Sequence, residues 1–139
     1  MQGNKTLTMI KPDAVQKGFT GKILEQITGA GFRITAMKML HLSIPRAELF
    51  YAVHRDRPFY SELVQFMASG PIVAAILEKN NAVADFRALI GPTDPAKASS
   101  DSIRARFGSS VQNNAIHGSD SDENAKMECD FFFNQLERF

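Results

Sequence analysis

The run IVAAIL, Ile72 to Leu77, constrains this chain more than any other stretch. It is continuously apolar and of strand length, and Ser69-Gly70-Pro71 ends whatever precedes it. A strand that is apolar at every position must be covered on both faces, so it reads as a buried central strand. The rest of the chain has to supply strands to flank it and helices to cover it. With 139 residues it is long enough to do so as one domain, residues 1–139, without staples.

Thr6 to Ile10, TLTMI, reads as a strand stopped by Lys11-Pro12, because the residue before proline is held extended; Lys11 then sits at a strand end with its side chain available. A helix is predicted over Gly21 to Ala30, capped by Thr20, with Ile23, Leu24, Ile27 and Ala30 as its apolar stripe and Gly31 as its stop. Arg33 to Leu42 is a second strand, and Ser43 and Pro45 open a helix that runs to about Val53. Pro58 to Ala68 continues as helix, with Leu63, Val64 and Met67 on one side. Asn81 to Ile90 is helical with Val83, Phe86 and Ile90 on one face, closed by Gly91-Pro92. Thr93 to Asp101 is a polar loop, a short extended piece leads to Ile116-His117, and Asp122 to Phe132 is a last helix. Four strands separated by helices predict an α+β sandwich with helices packed on a mostly antiparallel sheet.

A formal net charge of +1 provides no global attraction to nucleic acid or to anionic lipid, so an anion site has to be a local cluster. No apolar run reaches membrane-spanning length, and MQGNKTLTMIKP has no long apolar core of a leader. Cys129 is the only cysteine; it excludes an internal disulfide and reads as a packing residue of a cytoplasmic-type domain. Familiar phosphate loops are missing: GFTGK, Gly18 to Lys22, has too few residues between its glycines, and no G-x-G-x-x-G follows a strand. His41, His54 and His117 lack metal-ligand spacing, and there is no G-x-S-x-G nucleophile elbow.

Three groups sit where propensity alone would not put them. In NNAIHGSDS, Asn113 to Ser121, His117 stands between the apolar pair Ala115-Ile116 and a run of turn and cap residues. It either merely precedes a helix or is presented at that helix's mouth. Glu128 shares a helix side with Asn124, Ala125, Phe131 and Phe132, so its carboxylate lies in an apolar arc, where it either snorkels from the rim or needs a partner. His117 is a partner within reach. A carboxylate on one imidazole nitrogen fixes the tautomer and leaves the other as a free lone pair, as a nucleophile or metal ligand requires. Arg87, beside the Val83, Phe86 and Ile90 stripe, and Arg104, in SIRARF, are either solvated or turned toward an anion.

These residues also carry a resemblance. NNAIHGSDS resembles the N-x-x-H-G-S-D signature of nucleoside diphosphate kinases. TLTMIKPDAVQKGFTGKIL resembles the family's first strand and helix, GFRITAMKML its second strand, and FYAVHRDRPFYSELVQFMASGPIVAAILE its central block. The resemblance runs from about Thr6 to Phe132, in order. It implies a ferredoxin-like βαββαβ core with a four-stranded antiparallel sheet, and transfer of the γ-phosphate from a nucleoside triphosphate to a diphosphate through a phosphohistidine, with low base specificity. By position it implies His117 as nucleophile, Glu128 as the carboxylate that orients it, Ser119 supporting the pair and Tyr51 beside it. Lys11 and Asn114 would hold the ribose hydroxyl and phosphates, and His54, Arg87, Thr93 and Arg104 would grip phosphate. Phe59 and Val111 would sandwich the base, and Mg²⁺ would be held through the nucleotide phosphates rather than by side chains. The implied partners are ribo- and deoxyribonucleoside tri- and diphosphates, with neither nucleic acid nor membrane.

The chain departs from the family pattern at Ser100-Asp101, where a Pro-Gly pair is usual, at Arg106, where an acidic residue is usual, and at Val53, where many bacterial members carry glutamate. The loop after Thr93 generally helps subunit contacts, so the departures at Ser100-Asp101 and Arg106 bear on assembly and stability more than on chemistry. A homo-oligomer built from dimers is expected, and an end at Phe139, without the longer tail of animal members, leaves tetramer and hexamer both open.

Overall fold

The computed structural model describes residues 3–139. Its sheet is built from β1 (Lys5–Ile10), β2 (Arg33–Leu40), β3 (Ile72–Glu78) and β4 (Ile116–Gly118), in spatial order β2-β3-β1-β4 with every neighbouring pair antiparallel. This is the ferredoxin-like arrangement. β3 lies inside the sheet, as its apolar run requires. Alternate residues of β3 feed two cores: Val73, Ala75 and Leu77 face one side, and Ile72, Ala74 and Ile76 the other.

The first core is closed by α2 (Thr20–Gly29) and α5 (Ala82–Ile90), through Ile23, Ile27, Phe86 and Ile90. The second is closed by α3 (Ile44–Phe50), α4 (Tyr60–Met67) and α7 (Asp122–Phe132), through Ala47, Val64, Met67, Cys129 and Phe132. Cys129 is buried there as packing, and burial pushes its thiol up to about 11. The helices α3 and α4 occupy the connection between the neighbouring strands β2 and β3, where a tight hairpin would have sufficed.

Local chemistry accounts for the boundaries. Ser43 and Ser121 cap α3 and α7, their hydroxyls accepting from the Arg46 and Asn124 amides at 3.2 and 3.1 Å. Gly31 follows α2 at φ +93°, a left-handed position suited to glycine.

Several expectations need correction. Pro12 starts a short helix, α1 (Pro12–Gln16), with Lys11 extended at its N-cap; proline is pre-set for that first position. Thr20 lies inside α2 and Phe19 holds the cap position, so the threonine caps nothing. The second strand ends at Leu40 rather than Leu42, and the helix expected through Val53 ends at Phe50, followed by a 3-10 turn at Ala52–His54. The helix expected from Pro58 begins at Tyr60. The polar loop holds a 3-10 turn at Pro95–Lys97 capped by Asp94. SIRARF forms a helix, α6 (Ile103–Phe107), capped by Ser102; Ile103 and Phe107 are both buried at i and i+4, a spacing that fits helix as well as strand.

Candidate active site

β4 is three residues long with the burial pattern buried, half-buried, buried. Period-2 alternation sends Ile116 into the first core and turns His117 to the opposite face, the side that α7 covers. Glu128, in the second turn of α7, meets it there: His117 Nε2 lies 2.9 Å from Glu128 Oε1, and both side chains are only 19% exposed. An ionised carboxylate can only accept, so Nε2 carries the proton and Nδ1 keeps the lone pair. The Ser119 hydroxyl donates to the same Oε1 at 2.7 Å and accepts the Leu7 amide at 3.1 Å, which ties the carboxylate to β1. Thr8 Oγ1 donates to the His117 carbonyl at 2.8 Å. The ring is therefore fixed in tautomer and in position. The structure thus brings His117, Glu128 and Ser119 together.

The aromatic surroundings come from the α3–α4 connection. Phe50 presents its ring edge-on to the His117 imidazole, centroids 5.8 Å apart. Sequence reasoning passed over Phe50, which sits on the same helix face as Ala47 and reads as plain core. Tyr51 is buried beside Phe50, and its hydroxyl has no hydrogen-bond partner among the described residues. Burial first, and the Glu128 charge second, raise the Tyr51 pKa, so the phenol stays protonated and its O–H is an unspent donor. His54 lies between Tyr51 and Phe59, at ring distances of 6.5 and 5.6 Å. Phe59 and Val111 are both exposed large apolar side chains.

Cationic groups converge from the other side. The buried Lys11 ammonium donates to Asn114 Oδ1 at 2.9 Å, and Asn114 Nδ2 donates to the Thr93 carbonyl at 3.0 Å. Burial, then the Arg104 charge, lower the Lys11 pKa to about 8, against a rise from Asp13. Arg104 spends Nη1 on the Gly91 carbonyl at 2.9 Å and Nη2 on the Ile116 carbonyl at 2.8 Å, while its buried Nε has no partner among the described residues. Burial and the charge of Arg87 lower its pKa to about 10. Arg87 itself is exposed on α5. Like charges held this close, with Asp13 as the carboxylate that offsets Lys11, are costly, and an arriving polyanion would relieve them.

Two residues outside the expected set complete the neighbourhood. Asp13, buried in the first turn of α1, accepts the Ala115 amide through Oδ2 at 3.2 Å. Because no helix is expected there from sequence, nothing in the sequence marks this acid. Ala115 has φ +75°, a conformation non-glycine residues avoid. The departures are held by contacts within the chain: Arg106 donates to Gln26 Oε1, and Gln26 Nε2 donates to the Asp101 carbonyl at 2.8 Å. Ser100 and Val53 are exposed.

With this geometry in place, the comparisons are decisive. The family model described as nucleoside diphosphate kinase matches residues 4–138. The chain belongs to the nucleoside diphosphate kinase family. It is 57% identical over 139 residues to a nucleoside diphosphate kinase of Flavobacterium psychrophilum, covering 100% of both chains. Among solved structures it is similar to the Aquifex aeolicus nucleoside diphosphate kinase, at 49% identity and TM-score 0.96, over 98% of this chain and 99% of that one. A halophilic nucleoside diphosphate kinase from Halobacterium salinarum, solved in complex with CDP, matches at 34% identity and TM-score 0.94, over 99% of this chain and 92% of the other. The chain is accordingly an enzyme of this family, a phosphotransferase that passes the γ-phosphate of a nucleoside triphosphate to a nucleoside diphosphate.

Proposed function

We propose that His117 Nδ1 is the nucleophile of a two-step transfer, with the roles distributed as the site geometry supports. The observation that carries this reading is the 2.9 Å contact between His117 Nε2 and Glu128 Oε1, which leaves Nδ1 as the ring's only lone pair. Nδ1 attacks the γ-phosphorus in line; the P–N bond forms, the bond to the β-bridging oxygen breaks, and the diphosphate leaves. The imidazole becomes cationic as it takes phosphate, and Glu128 stabilises that charge without moving. The second half-reaction is the reverse, onto a new diphosphate. A P–N bond is labile enough that this step is not uphill, whereas a serine phosphate would be a trap.

Lys11, Arg87 and Arg104 offset the charge on the phosphoryl oxygens, Asn114 and Lys11 hold the ribose hydroxyl and phosphates, and Thr93 and His54 close the phosphate site. The Tyr51 hydroxyl and the Arg104 Nε are buried donors beside the site whose hydrogen bonds are unspent among the described residues. Phe59 and Val111 take the base by its flat faces, which supports low base specificity, since few donors stand ready to read its edge. Magnesium belongs to the nucleotide in this reading. The cradle is cationic, and among the described residues no group of three or more His, Cys, Asp or Glu side chains is placed to hold an ion. When bound, the ion supplies charge neutralisation between the phosphates.

The same reading makes residues 1–139 one domain that works in the cytoplasm as a homo-oligomer, a tetramer or hexamer built from dimers. No described helix is long and apolar enough to cross a membrane. β2 is an edge strand of the sheet, met within the chain by the Phe139 amide, which donates to the Thr35 carbonyl at 2.7 Å, and it carries the exposed Met37 and Met39, which supports pairing with a second copy.

Incubation with γ-labelled ATP tests the chemistry. The expected result is acid-labile, base-stable label on His117 that GDP or dCDP discharges, with ping-pong kinetics. Label that persists in the presence of diphosphates would instead mark a phosphocarrier, and no label would mark a nucleotide sensor.

A further inference from the structure

We infer that Asp13 is a positioning residue of the transfer reaction, holding the backbone of Ala115 in the conformation that delivers Asn114 and His117 to the phosphate. The head of α1 grips Ala115 at both ends. The Lys11 amide donates to the Ala115 carbonyl at 2.8 Å, and Asp13 Oδ2 accepts the Ala115 amide at 3.2 Å. Between these two anchors Ala115 takes φ +75°. An alanine persists in that region only where its surroundings over-determine it.

The consequences reach both sides of the residue. Asn114, one position earlier, meets the Lys11 ammonium, and His117, two positions later, pairs with Met9 on β1. A peptide that relaxed at Ala115 toward negative φ would swing the Asn114 side chain away from Lys11 and shift the start of β4. Asp13 is a poor choice for fold stability alone. It is buried, its Oδ1 has no hydrogen-bond partner among the described residues, and desolvation raises its pKa despite the Ala14 and Ala115 amides and the Lys11 charge, which lower it. A buried carboxylate with one unmet oxygen costs stability, so its gain lies in the strained peptide it holds.

The inference rests on the phosphohistidine reading, and single-turnover labelling by γ-labelled ATP separates the two. The rate constant is a property of folded molecules, whereas the amplitude counts them, so a merely structural role would lower amplitude and leave the rate constant alone. Asp13→Ala is expected to lower the rate constant about 10- to 100-fold. Asp13→Asn keeps an oxygen for the Ala115 amide and is expected to stay within about 5-fold of the parent enzyme. In the double variant D13A/A115G, glycine takes positive φ freely, and at least about 5-fold of the loss is expected to return. Asp13→Leu, which fills the same space without an acceptor, is read in the same way if the alanine variant does not fold. A parent-like rate constant in D13A or D13L would overturn the role, as would no recovery in the double variant. If the parent enzyme takes no label, both readings fall; if the parent and D13L label alike, only the role of Asp13 does.

Discussion

A carboxylate that takes both an imidazole N–H and a serine hydroxyl on one oxygen has little freedom left, and Glu128 is in that position. Glu128→Gln keeps the shape but loses the charge that balances the phosphohistidine, so kcat is expected to fall about 10- to 100-fold; a steady-state rate equal to the parent's would remove Glu128 from the mechanism. His117→Ala is expected to abolish transfer while nucleotide affinity, measured calorimetrically, changes by only a few-fold. Lys11 sets the pH response. Its ammonium is held at about 8 against an ordinary 10.5. Between those values the unfolded chain binds more protons at this group than the folded one, so its stability penalty is present at lower pH and is relieved as pH rises through 8. Binding runs the other way, because the charge offered to phosphate disappears across the same window. The kcat/KM of the free enzyme is therefore expected to fall above about pH 8, with the alkaline limb lost in Lys11→Arg; a flat parent profile to about pH 10 would exclude Lys11 from capturing nucleotide.

β4 has room for little, and that makes it vulnerable. A Cβ added at Gly118 would come within 2.9 Å of Phe86 Cδ2 and 3.1 Å of Ile90 Cδ1, both in the buried face of α5. Gly118→Ala is expected to cost about 1–3 kcal/mol in urea unfolding, as overpacking usually does, and to slow transfer too, because the strand that must shift carries His117. At α7 the Ser121 hydroxyl is a cap, and Ser121→Ala is expected to cost roughly 1 kcal/mol with little effect on the labelling rate. The α3–α4 connection is the element that adds an aromatic cluster to a plain four-stranded sandwich, since it delivers Phe50, Tyr51, His54 and Phe59 together, with Phe50 against His117.

For the whole molecule, the β2 edge strand with its exposed methionines predicts association: mass measurement in solution is expected to return four or six times 15.4 kDa. Met39→Glu, on that edge, is expected to shift the population toward smaller species, and an unaltered mass would move the contact elsewhere. Much of this architecture was legible beforehand. The apolar run Ile72–Leu77 demanded a sheet covered on two faces, the spacing of Asp122–Phe132 marked its helix to the residue, and Glu128 stood out as an acid in an apolar arc. Such features are local, because periodicity and side-chain solubility act over a few residues. What the amino-acid order could not decide by itself was which groups meet across the chain. The joining of Lys11 to Asn114, of Asp13 to Ala115 and of Phe50 to His117 depends on the strand order β2-β3-β1-β4, which sets β4 beside β1. That pairing arises only when both cores close at once, so the choice of imidazole nitrogen belongs to the tertiary structure.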